Sequence, residues 1–123
     1  MPIIDVQCLL REGQFRYGHE SVQALADALG DLFGSEPAGT WVRMRYLDEY
    51  DYAESHTRLG PTVDPTFVTI LRRQNPEAAD LASEAMAVAE AVGRVLARPR
   101  ENVHVIYEPE ATGRVAFGGT LVN

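Results

Sequence analysis

Lysine is missing from this chain altogether, and cysteine nearly so. All 11 basic residues among its 123 are arginines, and Cys8 is the only cysteine. A lone cysteine closes no internal disulfide and has no partner for a cysteine-rich metal site. Set inside an apolar strand pattern, Cys8 reads as a small core residue. The three histidines, His19, His56 and His104, are scattered without metal-ligand spacing, so neither a metal nor another cofactor is expected. No apolar run approaches the ~20 residues of a membrane span, and the start lacks the pattern of a signal peptide. The expectation is a cytoplasmic protein with no membrane partner. Positive charge is also scarce: 11 basic residues stand against 18 acidic ones, a net charge of -7. That balance argues against nucleic acid, which needs a basic footprint. A small anionic substrate stays open, because a few clustered arginines can hold a carboxylate within an acidic protein.

What remains is the composition of an ordinary soluble domain, 46% hydrophobic and 24% charged, and its length suits one domain over residues 1–123. The periodicity gives strand, helix and strand, then the same again. Pro2 to Leu10 alternates as a strand. Val22, Leu25, Ala26, Leu29 and Phe33 form the apolar stripe of a helix that Gly34 ends. Trp41 to Leu47 is the second strand, and Phe67 to Arg73 the third. Asn75-Pro76-Glu77 predicts a helix start. The helix then runs through Leu81, Ala85, Val88, Val92, Val95 and Leu96 to a stop at Pro99. Asn102 to Glu108 is the fourth strand, with a short fifth at Val115-Ala116-Phe117. The acidic, tyrosine-containing stretch 48–64, broken by Gly60 and Pro61, joins the two units.

The units, 2–47 and 65–119, read as an internal repeat, with Pro2 set against Pro65 and Val42 against Val103. The expected fold is therefore α+β, an α/β sandwich. A duplicated β-α-β unit builds a four-stranded mixed sheet with two helices on one face. Strand four sends Val103, Val105 and Tyr107 to one side and His104, Ile106 and Glu108 to the other. Neither face of such a sheet is uniformly polar, which predicts self-association with closed symmetry.

Pro2 carries the most distinctive chemistry. Removal of the initiator methionine leaves it a free secondary amine, the only amine of a lysine-free chain able to lose a proton near neutral pH. An α-amine titrates near ~8. An apolar pocket beside cations disfavours its charged form and turns it into a neutral base near working pH.

Pro2, the repeated unit and the ending Asn102-Val103-His104-Val105-Ile106-Tyr107 through Gly113-Arg114-Val115-Ala116-Phe117-Gly118-Gly119 together resemble the tautomerase superfamily. The ending is similar, without gaps, to that of 4-oxalocrotonate tautomerase, and down to Asn123 to that of macrophage migration inhibitory factor. Length and repeat also resemble 5-carboxymethyl-2-hydroxymuconate isomerase. The resemblance implies a cofactor-independent tautomerase or isomerase acting on a small enol or 2-oxo carboxylate, with Pro2 as general base. It also implies a homotrimer with active sites at subunit interfaces. The family's pocket position at the end of the third strand falls on Arg73, with Arg72 adjacent; one of the two is expected to clamp a carboxylate. His104 would come from a neighbouring subunit to polarise a carbonyl, and Val115 and Phe117 would form the apolar wall. Ile106 stands where the inhibitory factor has an asparagine, and Gly34-Ser35-Glu36-Pro37 replaces a turn that carries a lysine there. Arg43 and Arg11 read as structural or interface residues. Two alternatives stay open: a hydratase-type dehalogenase or decarboxylase on the same scaffold, using a protonated proline, and a catalytically idle oligomer.

Overall fold

Alternation at the start of the chain becomes a strand, β1 (Ile3–Leu10), that buries Ile4, Val6 and Cys8 on one face and leaves Ile3, Asp5 and Gln7 half-buried on the other. The computed structural model describes residues 2–61 and 63–123. Helix α1 (His19–Phe33) inserts Leu25 and Leu29 into the core. It ends at Gly34, whose positive φ of 62° lets its N–H and that of Ser35 reach the last carbonyls of the helix. Strand β2 is Trp41–Asp48, and the acidic connector opens with a single 3-10 turn at Glu49–Asp51.

The second unit is β3 (Thr66–Leu71), α2 (Ala78–Leu96) and β4 (Val103–Tyr107), with a 3-10 turn at Arg100–Asn102 before β4. Two boundaries differ from the sequence reading. Strand β3 stops at Leu71, which pairs with Ile3 where β1 begins, so Arg72 and Arg73 lie beyond the ladder. Asn75 does not cap α2, which begins at Ala78 without a side-chain cap. Its backbone N–H instead donates to Glu110 Oε2 at 2.6 Å and its amide to the Glu108 carbonyl at 3.3 Å, tying the loop to the segment after β4. The C-terminal end holds one element more than expected. Strands β5 (Ala116–Phe117) and β6 (Thr120–Leu121) pair as a hairpin through Gly118 and Gly119, both at positive φ.

The sheet order is β2-β1-β3-β4, with β1 parallel to β2, β3 parallel to β4, and β1 antiparallel to β3. This is the expected mixed sheet. Ile4, Val6, Val68, Ile70 and Val103 from the strands join Leu25, Leu29, Val88, Val92 and Leu96 from the helices in one core. Each fully buried Val or Leu there contributes about 1.5–3 kcal/mol.

Strand faces also fix how the units compare. Ile4, Val6 and Cys8 share the buried face with Thr66, Val68 and Ile70, an offset of 68 − 6 = 62. Setting Pro2 on Pro65, an offset of 65 − 2 = 63, would match buried Ile4 to half-buried Phe67 on the opposite face. The buried faces of β1 and β3 therefore match at an even offset.

The face away from the helices carries Asp5, Arg43, Phe67, His104 and Ile106. Arg43 donates to both Asp5 oxygens, at 2.6 and 2.9 Å, and the Phe67 ring lies 5.5 Å from that of His104. Ile106 is 48% exposed on edge strand β4. Among the described residues, no helix is long and apolar enough to cross a membrane, and no cluster of potential metal ligands occurs.

Candidate active site

Where β1 starts and β3 ends, Pro2, Phe33, Arg72, Arg73 and Gln74 line a cleft of about 290 Å³. Each arrives for a local reason. Pro2 precedes the first ladder residue, and its carbonyl accepts from the Trp41 N–H at 3.0 Å, which fixes it at the mouth of the β1–β2 pair. Phe33 closes α1. Arg72 and Arg73 follow β3, and the chain after β4 pins them from behind. The Ala111 N–H donates to the Arg72 carbonyl at 2.9 Å, and the Thr112 hydroxyl donates to the Arg73 carbonyl at 3.1 Å.

The two arginines differ in how their side chains are held. Arg72 donates from Nη2 to Glu84 Oε2 at 3.0 Å and lies 5.2 Å from the centre of the Phe33 ring. Its Nε is buried and has no protein partner. Glu84 in turn accepts from the Tyr107 hydroxyl at 2.9 Å. Burial, then the bond to Glu84, pushes the Tyr107 phenol well above its ordinary range, so it stays a neutral donor. Arg73 is exposed and has no carboxylate partner among the described residues. Both arginines thus line the cleft, although a strand continuing through them would have turned one away.

The other residues singled out in the sequence are distributed differently. Phe117 meets the edge of the Trp41 ring, centroids 5.6 Å apart at 86°, which brings the β5–β6 hairpin beside the Pro2 end. Val115 bonds within its own segment, donating to the Ala111 carbonyl and accepting from the Val122 N–H. His104 stands opposite Phe67, toward the far end of the sheet, and Ile106 opposite Thr69, nearer the cleft end; neither lines this cleft within one chain. Cys8 is buried, and burial raises its thiol above the ordinary range, as suits a core residue.

At the opposite end of the sheet the arginines are consumed by the chain itself. Arg98 donates to the carbonyls of Leu9 at 2.8 Å, Asp64 at 3.2 Å and Pro65 at 3.4 Å, and to the Tyr17 hydroxyl at 3.0 Å. Its path is set by Gly93, where an added Cβ would sit 2.7 Å from the Arg98 carbonyl oxygen. Arg11 pairs with Asp64 and donates to the Gly60 and Val63 carbonyls.

Glu84 and Arg98 were missed in the sequence. Glu84 carried a signal: it is a carboxylate on the helix stripe shared by Leu81 and Val88, three and four residues away, where a charge needs a partner.

This architecture, two β-α-β units on one mixed sheet, is the tautomerase fold. No protein-family model matches the chain, and no curated protein sequence is similar to it. The likeness lies with solved structures. The F6 fused 4-OT wild type asymmetric trimer is similar at 17% identity and a TM-score of 0.72, over 95% of this chain and 94% of that one. Macrophage migration inhibitory factor from Trichinella spiralis is similar at 12% identity and a TM-score of 0.67, over 97% and 98%. Pt0534, solved as inactivated by 2-oxo-3-pentynoate, is similar at 12% identity and a TM-score of 0.73, over 97% and 94%. At such identities the likeness establishes the fold.

Proposed function

We propose that this protein is a tautomerase or isomerase that moves a proton within a small enol or 2-oxo carboxylate, with Pro2 as general base once Met1 is removed. The observation that carries the reading is the Pro2 cleft, in which the head of β1 meets two arginines on a tautomerase fold. The secondary amine freed there shares the cleft with guanidinium groups, whose positive charge disfavours its protonated form.

In the proposed reaction Arg73, with Arg72 beside it, binds the substrate carboxylate through charge-assisted hydrogen bonds. The Pro2 nitrogen takes the enol hydroxyl proton as the oxygen becomes a carbonyl. The same nitrogen returns that proton to the neighbouring carbon as the carbon–carbon double bond becomes single. Atoms and charge balance without a co-reactant, and the amine ends as it began. No cofactor is invoked.

The neighbours include trimers of fused 4-OT, and we extend that assembly to this chain. Exposed Ile106, Trp41 and Met86, with edge strand β4, supply apolar surface and unpaired backbone for a neighbour. In such a trimer His104 of an adjacent subunit polarises the carbonyl, while Ile106, Val115 and Phe117 wall the pocket. Sedimentation at micromolar concentration should give a trimer; a stable monomer contradicts this part of the proposal.

The direct test is turnover of phenylenolpyruvate. The wild-type protein should ketonise it, and Pro2→Ala should lose activity while remaining folded. Equal turnover by both proteins, or none by either, contradicts the enzymatic reading.

A further inference from the structure

We propose that Glu84 is a specificity-determining residue of the Pro2 cleft, cancelling the charge of Arg72 so that the site accepts one carboxylate rather than two. The inference rests on reading this cleft as the site of an anionic substrate, and extends it to the number of charges that substrate carries.

The cleft holds two guanidinium groups in unequal states. Arg72 and Glu84 form an ion pair whose side chains are only 14% and 17% exposed, so the pair is poorly screened and counts as nearly neutral toward a ligand. Arg73 keeps its full charge. One carboxylate can therefore be met by the Arg73 charge. A second would find no further uncompensated arginine in the cleft. Tyr107 holds Glu84 by its other oxygen, so the carboxylate is anchored at both ends.

Glu84 is a positioning residue, acting through Arg72. Its charge and its anchoring role separate cleanly in two variants. Glu84→Gln removes the charge but keeps an oxygen for Arg72 and an amide that can donate to the Tyr107 oxygen. Tyr107→Phe removes the second anchor and leaves the charges untouched.

The experiment is calorimetric titration with two probes of one carbon skeleton, fumarate (a dianion) and crotonate (a monoanion). The wild-type protein should favour fumarate over crotonate by less than about tenfold. Glu84→Gln should raise that ratio about tenfold, while Tyr107→Phe should shift both affinities together and leave it unchanged. A wild-type fumarate preference of tenfold or more overturns the proposal even if neither variant folds. So does an unchanged ratio in Glu84→Gln, an equal rise in Tyr107→Phe, or a wild-type protein that binds neither probe. Binding needs no turnover. The expected ratios without catalysis would sink the enzymatic reading alone, and catalysis with unmoved ratios would sink the role of Glu84 alone.

Discussion

The two ends of the central sheet are built from like parts and put to opposite uses. At one end Pro2, Arg72 and Arg73 surround a cleft, and Arg73 has no carboxylate partner among the described residues. At the other, Arg11 pairs with Asp64, and Arg98 spends its donors on three backbone carbonyls. An arginine whose donors are satisfied by the chain is a fastener. One left with an open donor is free to meet a ligand. Residue type alone does not distinguish them, since all are arginines at the ends of the sheet. What separates them is whether other stretches of backbone supply acceptors to the side chain.

That contrast can be broken from either end. The largest effect is expected from Pro2→Ala, which removes the proposed base and should lower phenylenolpyruvate turnover by about 10²–10⁴-fold with the denaturation midpoint little moved. Next, Arg98→Ala should cost about 3 kcal/mol of stability in urea denaturation, because it removes a charged donor shared by the carbonyls of Leu9, Asp64 and Pro65. A similar loss of activity at unchanged stability would instead make the closed end a second site. Arg73→Ala should raise KM about tenfold with a smaller change in kcat, read by steady-state kinetics. The smallest effect, about 1 kcal/mol, is expected from Phe117→Ala, which removes an edge-on contact with Trp41. As Trp41 is the only tryptophan, its fluorescence should shift in that variant even where activity does not.

Much of the fold was legible because its strands alternate and its helices keep a clean apolar stripe. Gly34 ended α1 as its chemistry requires, and β1 to β4 fell within a residue or two of their patterns. The misplacements share a cause in long-range partners that local pattern does not encode. Asn75 looks like a cap, yet Glu110 and the Glu108 carbonyl, far along the chain, take its donors. The strand pattern through Arg72 and Arg73 continues past the point where β1 stops offering a partner. The one-residue shift between the repeated units was invisible for a similar reason. A proline at the head of each unit invites alignment, and only the buried faces of Val6 and Val68 correct it.

For the candidate site, residue chemistry pointed to Pro2 and the arginines, which the fold does bring to one cleft. It did not point to Glu84 or Tyr107, whose relation to Arg72 depends on how α2 and β4 pack. His104 and Ile106 lie outside the cleft of a single chain, and their proposed role stands or falls with the trimer.

The central claim is that Pro2 is a neutral base held beside arginines, and its titration tests this most directly. Once intact mass shows Met1 removed, the rate of labelling by an amine reagent can be followed against pH with no lysine to compete. A neutral base beside arginines should titrate with a midpoint clearly below the ~8 of an ordinary α-amine, moving back up in Arg73→Ala as a neighbouring positive charge is lost. A midpoint at or above the ordinary value, unmoved by that substitution, would contradict it.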